Sequence, residues 1–335
     1  MTKPHKIALV NSSSFGRIFP EHVKRLEKIG EVKRFTVDQN IPGEELARLL
    51  DGYDLIISSV TPFFDKTFFE NKDKLLLISR HGIGYNNIDL EAAKAHDTLV
   101  SIVSALVERD AVAENNVANL LALMRKTWQS ATAARNDRWK ERAQYVGHSL
   151  LHKKAGLIGI GNTGSLVAQI LRGGFLCEVC AYDPNVDQLT MDTYGVKKVE
   201  LDELLRTCDV ICLCASLNED NYHMLSFEEV EKMKNGVYIS NSARGALVDE
   251  QAVVEGLESG KIAGFATDVL EVEPGHADHP YLRFDNVIVT PHTSAYTMEC
   301  LENMGLKCVD DIEKAVRGEC PDRAVQPVSS SVLPL

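Results

Sequence analysis

Continuous apolar runs punctuate the first hundred residues. KIALV (6–10), DLIISSV (54–60) and KLLLIS (74–79) have polar flanks but no internal alternation, the pattern of strands buried on both faces of a parallel sheet. Between them, PEHVKRLEKIG and GEELARLLDG place apolar residues at helical spacing, and each closes on a glycine. Alternating strands and helices predict an α/β domain. From Glu108 to about Ala134 the spacing is helical without Gly or Pro, predicting one long helix that joins two domains. A second α/β series begins at Lys154, with KAGLIGI, LCEVCAYD, DVICLCAS, GVYISNS, AGFATDV and NVIVTPH as strands. TMECLENMGLKCVDDIEKAVRG predicts a last helix ending at Gly318, and the tail PVSSSVLPL has little to bury.

A chain of 335 residues is long for a single core, which agrees with two domains. The formal net charge is −12, with no extended basic run, so nucleic acid and anionic membrane are not expected partners. The N-terminal apolar run is too short for a signal peptide, and no segment approaches the roughly eighteen apolar residues of a membrane span. A cytoplasmic protein is the expectation. Of eight cysteines, Cys177, Cys180, Cys208, Cys212 and Cys214 fall in apolar runs, where Cys acts as a small hydrophobe. Cys177-Glu-Val-Cys180 has the spacing of a metal half-site, but residues three apart in a strand face opposite ways. It also lacks a second ligand pair, as do His276 and His279, so no metal is expected.

The stretch GLIGIGNTGSLVAQIL carries more information. Gly159-Ile-Gly161-Asn162-Thr163-Gly164 follows an apolar strand and opens a helix, the context a dinucleotide fingerprint requires. The first glycine makes the turn, the second admits the pyrophosphate, and the third lets the helix pack on the sheet. Asp183 stands 19 residues beyond Gly164 at the end of the next strand, placed to bind a ribose 2′-hydroxyl and repel a 2′-phosphate. The cofactor expected is NAD.

Three further residues, Arg244, Glu273 and His292, each follow a predicted strand, on the edge where open α/β sheets bind ligands. Arginine can hold a carboxylate bidentately, histidine can pass a proton near neutral pH, and a glutamate beside it favours its charged form. Asp268 lies on the same edge. The first domain has NSSSFG rather than a glycine fingerprint after its first strand, so it is not expected to bind the dinucleotide.

With these motifs in view, the chain resembles the D-isomer-specific 2-hydroxyacid dehydrogenases, a family related to D-lactate, formate, glycerate and phosphoglycerate dehydrogenases. The resemblance runs from about Leu75 to Pro327 through SRHGIGYNNIDLEAA, AVAE, GLIGIGNTG with Asp183, NSARGALVDE, DVLEVEP and TPHTSA, in family order. The 29 residues from Arg244 to Glu273 and the 19 from Glu273 to His292 are similar to the family's spacing. It implies two Rossmann-like or flavodoxin-like domains, with an NAD-binding domain at 107–295 inserted into a substrate-binding domain made of 1–106 and 296–335. His292 is then the acid/base, Glu273 its partner and Arg244 the substrate anchor, with the amides of Ile83 and Gly84 adding to the carboxylate site. Asp268 would receive the nicotinamide carboxamide. Asn162, Thr163, Cys214, Ala215, Ser242, Ala243, Arg244, His292 and Ser294 would line the cofactor, and a homodimer is implied.

The chain departs from the family at three places: Val103-Ser-Ala105 replaces Asn-x-Pro, Cys214-Ala215-Ser216 replaces His-x-Pro beside the adenosine, and PHxGA reads Pro291-His292-Thr-Ser294-Ala295. Ser58-Ser59 stands where phosphoglycerate enzymes tend to have a cation. The substrates expected are therefore small or apolar: pyruvate/D-lactate, hydroxypyruvate/D-glycerate, glyoxylate or phenylpyruvate. With Arg109 as a replacement cation, D-3-phosphoglycerate dehydrogenase is the alternative. An NADH-sensing, corepressor-like binding protein is the reading from a different class.

Overall fold

The structure, a computed structural model, describes residues 5–325. It divides into two compact units, one of Met1–Glu108 with Tyr296–Leu335 and the other of Arg109–Ala295. The tail PVSSSVLPL lies outside the described residues. No helix among them is long and apolar enough to cross a membrane.

In the first unit β1 (His5–Val10), α1 (Pro20–Leu26), β2 (Gly30–Phe35), α2 (Gly43–Leu49), β3 (Leu55–Ser58), α3 (Lys66–Asn71), β4 (Leu77–Arg80), α4 (Leu90–Ala95) and β5 (Leu99–Ser101) follow in order. The sheet order is β2-β1-β3-β4-β5, all parallel. β3 and β4 are buried throughout, which is why their sequences read as unbroken apolar runs. β2, GEVKRF, is an edge strand that exposes Glu31 and Lys33, and charge on an edge blocks pairing with other chains. Its charged residues leave no apolar run in the sequence. α1 stops at Leu26 rather than at a glycine. Gly30 instead opens β2, where a Cβ would collide with the His5 carbonyl on β1. The C-terminal helix, Met298–Val316, sends Cys308, Val309 and Ile312 into the core beside Ile7, Leu9, Leu55 and Leu77.

The second unit takes up most of α5 (Ala105–Met124) and continues through α6 (Thr127–Arg135), β6 (Lys154–Ile158), α7 (Asn162–Phe175), β7 (Glu178–Tyr182), α8 (Gln188–Asp192), β8 (Lys197–Lys198), α9 (Leu201–Thr207), β9 (Val210–Leu213), α10 (Phe227–Lys232), β10 (Val237–Asn241), α11 (Glu250–Glu258), β11 (Ile262–Thr267) and β12 (Val287–Val289). Its seven strands are parallel in the order β12-β11-β10-β9-β6-β7-β8, so the winding reverses between β6 and β9. Separate core clusters include Cys177, with Val179 and Ala181, and Cys180, with Ile158 and Ile211. The two cysteines thus serve opposite faces of the sheet, and no group of metal-ligating side chains occurs among the described residues.

The long helix expected from 108 to 134 is two helices. α5 ends at Met124 because the Met124 carbonyl accepts the His148 amide, at 2.9 Å, and Lys126 turns into the left-handed region at φ +50°. Neither residue is a helix breaker, so the local sequence carries no stop signal. A glycine adopts this backbone without the Cβ clash that lysine meets. Lys126→Gly should therefore raise stability by about 0.5–1 kcal/mol, read as a thermal midpoint higher by a few degrees or less in calorimetry.

Candidate active site

The glycine turn joins β6 to α7. Gly159 has φ +89°, and a Cβ there would stand 2.6 Å from the Ala215 backbone. A Cβ on Gly164 would strike the Gly159 carbonyl, so the helix start packs against the turn only because this residue is glycine. Gly161 differs: a Cβ on it would meet nothing within 4 Å. It N-caps α7 without a side-chain cap, so the first helical amides, from Asn162 onward, have no partner within the helix and none from the cap residue. Open room above Gly161, uncapped amides and the positive helix end fit a dinucleotide pyrophosphate. Asp183 follows β7, where its Oδ2 accepts the Ile160 amide at 3.0 Å and its Oδ1 the Asn185 amide at 2.9 Å. Those bonds fix the carboxylate beside the turn and leave lone pairs for a ribose hydroxyl.

Arg244 lies three residues beyond β10, and Asn241 shapes its loop. The Asn241 side chain donates to the Arg244 carbonyl at 2.9 Å and accepts the Ala243 amide at 3.0 Å. Gly245 follows, pressed so closely on the Leu270 backbone that a Cβ has no room. Asn241 was missed at the sequence level, although its place at the strand end before a functional loop suits a side chain that bonds nearby backbone.

His292 follows β12 with φ +54°, and its amide donates to the Asp268 carbonyl at 2.9 Å. Its Nδ1 stands 2.7 Å from Glu273 Oε2, while Glu273 Oε1 accepts the Leu270 amide at 2.9 Å. With Nδ1–H donated to the carboxylate, Nε2 is the nitrogen left for a substrate. Burial opposes ionisation of Glu273, but the His292 hydrogen bond and charge, the Leu270 amide and Arg244 outweigh it and hold the carboxyl below its usual range. The structure thus gathers Arg244, Glu273 and His292 on the carboxyl edge of one sheet.

Asp268 has a fuller role than expected. It is buried, and its carboxylate accepts the Thr290 hydroxyl, the Thr293 amide, and the Ser294 amide and hydroxyl. These donors bracket His292 on both sides, so Asp268 braces the acid/base loop. The Ser294 hydroxyl is committed inward by the same contacts. Cys214 and Ala215 lie at the end of β9, where Ala215 backs the Gly159 turn, and burial pushes the Cys214 thiol up to about 12. In the first unit the Ile83 amide donates to Glu108 Oε1 at 3.0 Å, so it is already engaged. Ser58 is wholly buried, and Arg80, 4% exposed, donates to the His81 carbonyl at 2.7 Å. Burial, with Arg80 adding to it, lowers His81 to about 3.

The description "D-isomer specific 2-hydroxyacid dehydrogenase, NAD binding domain" matches residues 117–294. The chain is 33% identical over 278 residues to a hydroxypyruvate reductase of Thermotoga maritima, covering 82% of this chain and 89% of that one. It is 35% identical over 275 residues to a D-3-phosphoglycerate dehydrogenase of Archaeoglobus fulgidus, covering 82% of this chain but 52% of the other. The chain thus spans about half the length of the phosphoglycerate dehydrogenases it matches. Among solved structures, the apo D-lactate dehydrogenase of Escherichia coli superposes with a TM-score of 0.83 at 27% identity, covering 96% of this chain and 100% of that one. The chain belongs to the D-isomer-specific 2-hydroxyacid dehydrogenase family, and its second unit carries the family's NAD-binding domain.

Proposed function

We propose that the protein is an NAD(H)-dependent oxidoreductase interconverting a 2-oxoacid and a D-2-hydroxyacid with a small or apolar side chain. The observation that carries this reading is the His292–Glu273 pair at 2.7 Å, on the same sheet edge as Arg244 and the glycine turn. NADH, when bound, supplies the hydride. Arg244 holds the substrate carboxylate with its planar fork, and its charge polarises the neighbouring carbonyl. His292 Nε2 gives its proton to the carbonyl oxygen as negative charge develops there, and takes one back in the reverse direction. Glu273 holds the ring and favours the imidazolium. Asp183 binds the adenosine ribose and disfavours NADP. Asp268 braces the His292 loop; the Thr290 and Ser294 hydroxyls and the Thr293 and Ser294 amides fill its acceptor positions, which leaves none for the nicotinamide carboxamide expected there.

The side-chain preference rests on the first unit. Ser58 is buried, and the Arg80 guanidinium is held on the His81 carbonyl, so neither offers an exposed charge to a phosphate. Relatives named hydroxypyruvate reductase and glyoxylate reductase accord with this. Turnover should be measured with NADH over pyruvate, hydroxypyruvate, glyoxylate, phenylpyruvate and 3-phosphohydroxypyruvate. The expected result is a higher kcat/KM for an unphosphorylated substrate. Preference for the phosphorylated one would establish the phosphoglycerate reading, and NADH binding without any turnover would establish the sensor reading.

Location in the cytoplasm accords with eight free cysteines, including Cys180 and Cys208, whose sulfurs stand unbridged at 3.4 Å. A homodimer accords with the apolar side chains left exposed on α6 and on the segment from it to β6: Trp128, Trp139 at 71% and Val146 at 73%. Trp139→Asp should convert the assembly to monomers in sedimentation; a wild-type monomer would remove the proposal.

The pH dependence follows from the coupling of Glu273 to His292. Glu273 is held below the usual carboxylate range, so its charge stays in place beside His292 through the pH range of the assay. Glu273→Gln keeps a hydrogen bond and deletes that charge. The basic limb of the kcat/KM profile for reduction should move to lower pH, and the acidic limb for oxidation should move the same way. Limbs that stay in place in both directions would dissociate Glu273 from the proton transfer.

A further inference from the structure

The second unit holds two asparagines that the proposed chemistry does not use. Asn115 and Asn116 are adjacent on α5, in the stretch AVAENNVANLL. Asn116 is wholly buried. Its Nδ2 donates to the Ser242 hydroxyl at 2.8 Å, and its main-chain carbonyl accepts the Ser240 hydroxyl at 3.0 Å. Ser240 and Ser242 flank Asn241, whose side chain closes the loop of Arg244. Asn115 reaches the other loop, where its Oδ1 stands 2.9 Å from the Ser294 hydroxyl, whose one proton is shared between that oxygen and Asp268, while Asn119 donates to the same Oδ1 at 2.9 Å. The Ser294 amide is bound to Asp268, two residues from His292. Consecutive helical residues point about 100° apart, so a single turn of α5 can serve both loops.

Asn116 is also an expensive residue for its place. Its Oδ1 has no hydrogen-bond partner among the described residues, and an unpaired buried acceptor destabilises a fold. An apolar side chain of similar size carries no such penalty, so packing alone does not call for asparagine. The nitrogen end, which holds Ser242, does.

We propose that Asn115 and Asn116 are positioning residues that place the two halves of the reaction machinery from one helix. Asn116 fixes the loop of the carboxylate anchor, and Asn115 the loop of the acid/base. The proposal rests on the oxidoreductase reading for its kinetic consequences but not for its structural ones. Asn116 governs an element that binds substrate, so its loss falls mainly on KM. Asn115 governs an element that moves a proton, so its loss falls mainly on kcat and on the pH profile.

The test uses the full chain carrying Asn116→Leu or Asn115→Ala, with Ser242→Ala as a route to the same broken bond that leaves α5 intact. Asn116→Leu is expected to keep or raise the thermal midpoint while raising substrate KM about tenfold, a size suited to a displaced anchor. Ser242→Ala should reproduce that rise, and the double variant should add little to it. Asn115→Ala is expected to lower kcat about tenfold with KM little changed, and to move the basic limb of reduction. Hydrogen exchange of the Thr293 and Ser294 amides should quicken about tenfold in Asn115→Ala without any substrate present. Folded variants with KM and kcat within twofold of wild type, or unchanged exchange in Asn115→Ala, would overturn the proposal. Should the wild type turn over none of the 2-oxoacids, the oxidoreductase reading fails, and the exchange measurement still decides whether Asn115 braces its loop.

Discussion

Parallel pairing is the constraint behind the second unit. Seven strands running the same way put all their carboxyl ends on one edge, and the reversal of winding between β6 and β9 opens a crevice there. The glycine turn leaves β6, Asp183 leaves β7, Arg244 leaves β10, Asp268 and Glu273 leave β11, and His292 leaves β12. Residues far apart in sequence therefore need no special device to meet. What they do need is loop geometry, because a strand end fixes a starting point rather than a side-chain direction.

That geometry comes from polar side chains working inward. Asn241 closes the Arg244 loop on itself, Asp268 collects donors from both sides of His292, and Glu273 uses one oxygen on the Leu270 amide and the other on the imidazole. A carboxylate with two partners cannot swing, so the imidazole it holds keeps one tautomer and one orientation. The His292 and Arg244 loops thus act as rigid presenters, although both lack regular secondary structure at the functional residue.

The parts legible in the sequence were those whose signal is local. Fully buried strands announce themselves as apolar runs, and the glycine turn announces itself because Gly159 and Gly164 tolerate no side chain. Arg244, Glu273 and His292 were readable from strand ends and spacing. Signals that depend on a distant partner were not readable. β2 is polar because it is an edge, and β5 is only three residues long. The break after Met124 is imposed by the His148 amide, more than twenty residues away. The bracing role of Asp268 could be seen only once Thr290, Thr293 and Ser294 had folded around it.

The first unit closes around a helix that arrives last. Cys308, Val309 and Ile312 complete a core whose other members, Ile7, Leu9, Leu55, Leu77 and Leu99, are made near the start of the chain. Nearly two hundred residues separate the end of β5 from the beginning of that helix, and a ribosome takes about 10–40 s to add them. During synthesis the early sheet must wait with one apolar face uncovered, while the second unit has all its strands and can fold at once. The strands of the unit at Arg109–Ala295 are therefore all synthesised before the sheet that precedes it receives the helix completing its core.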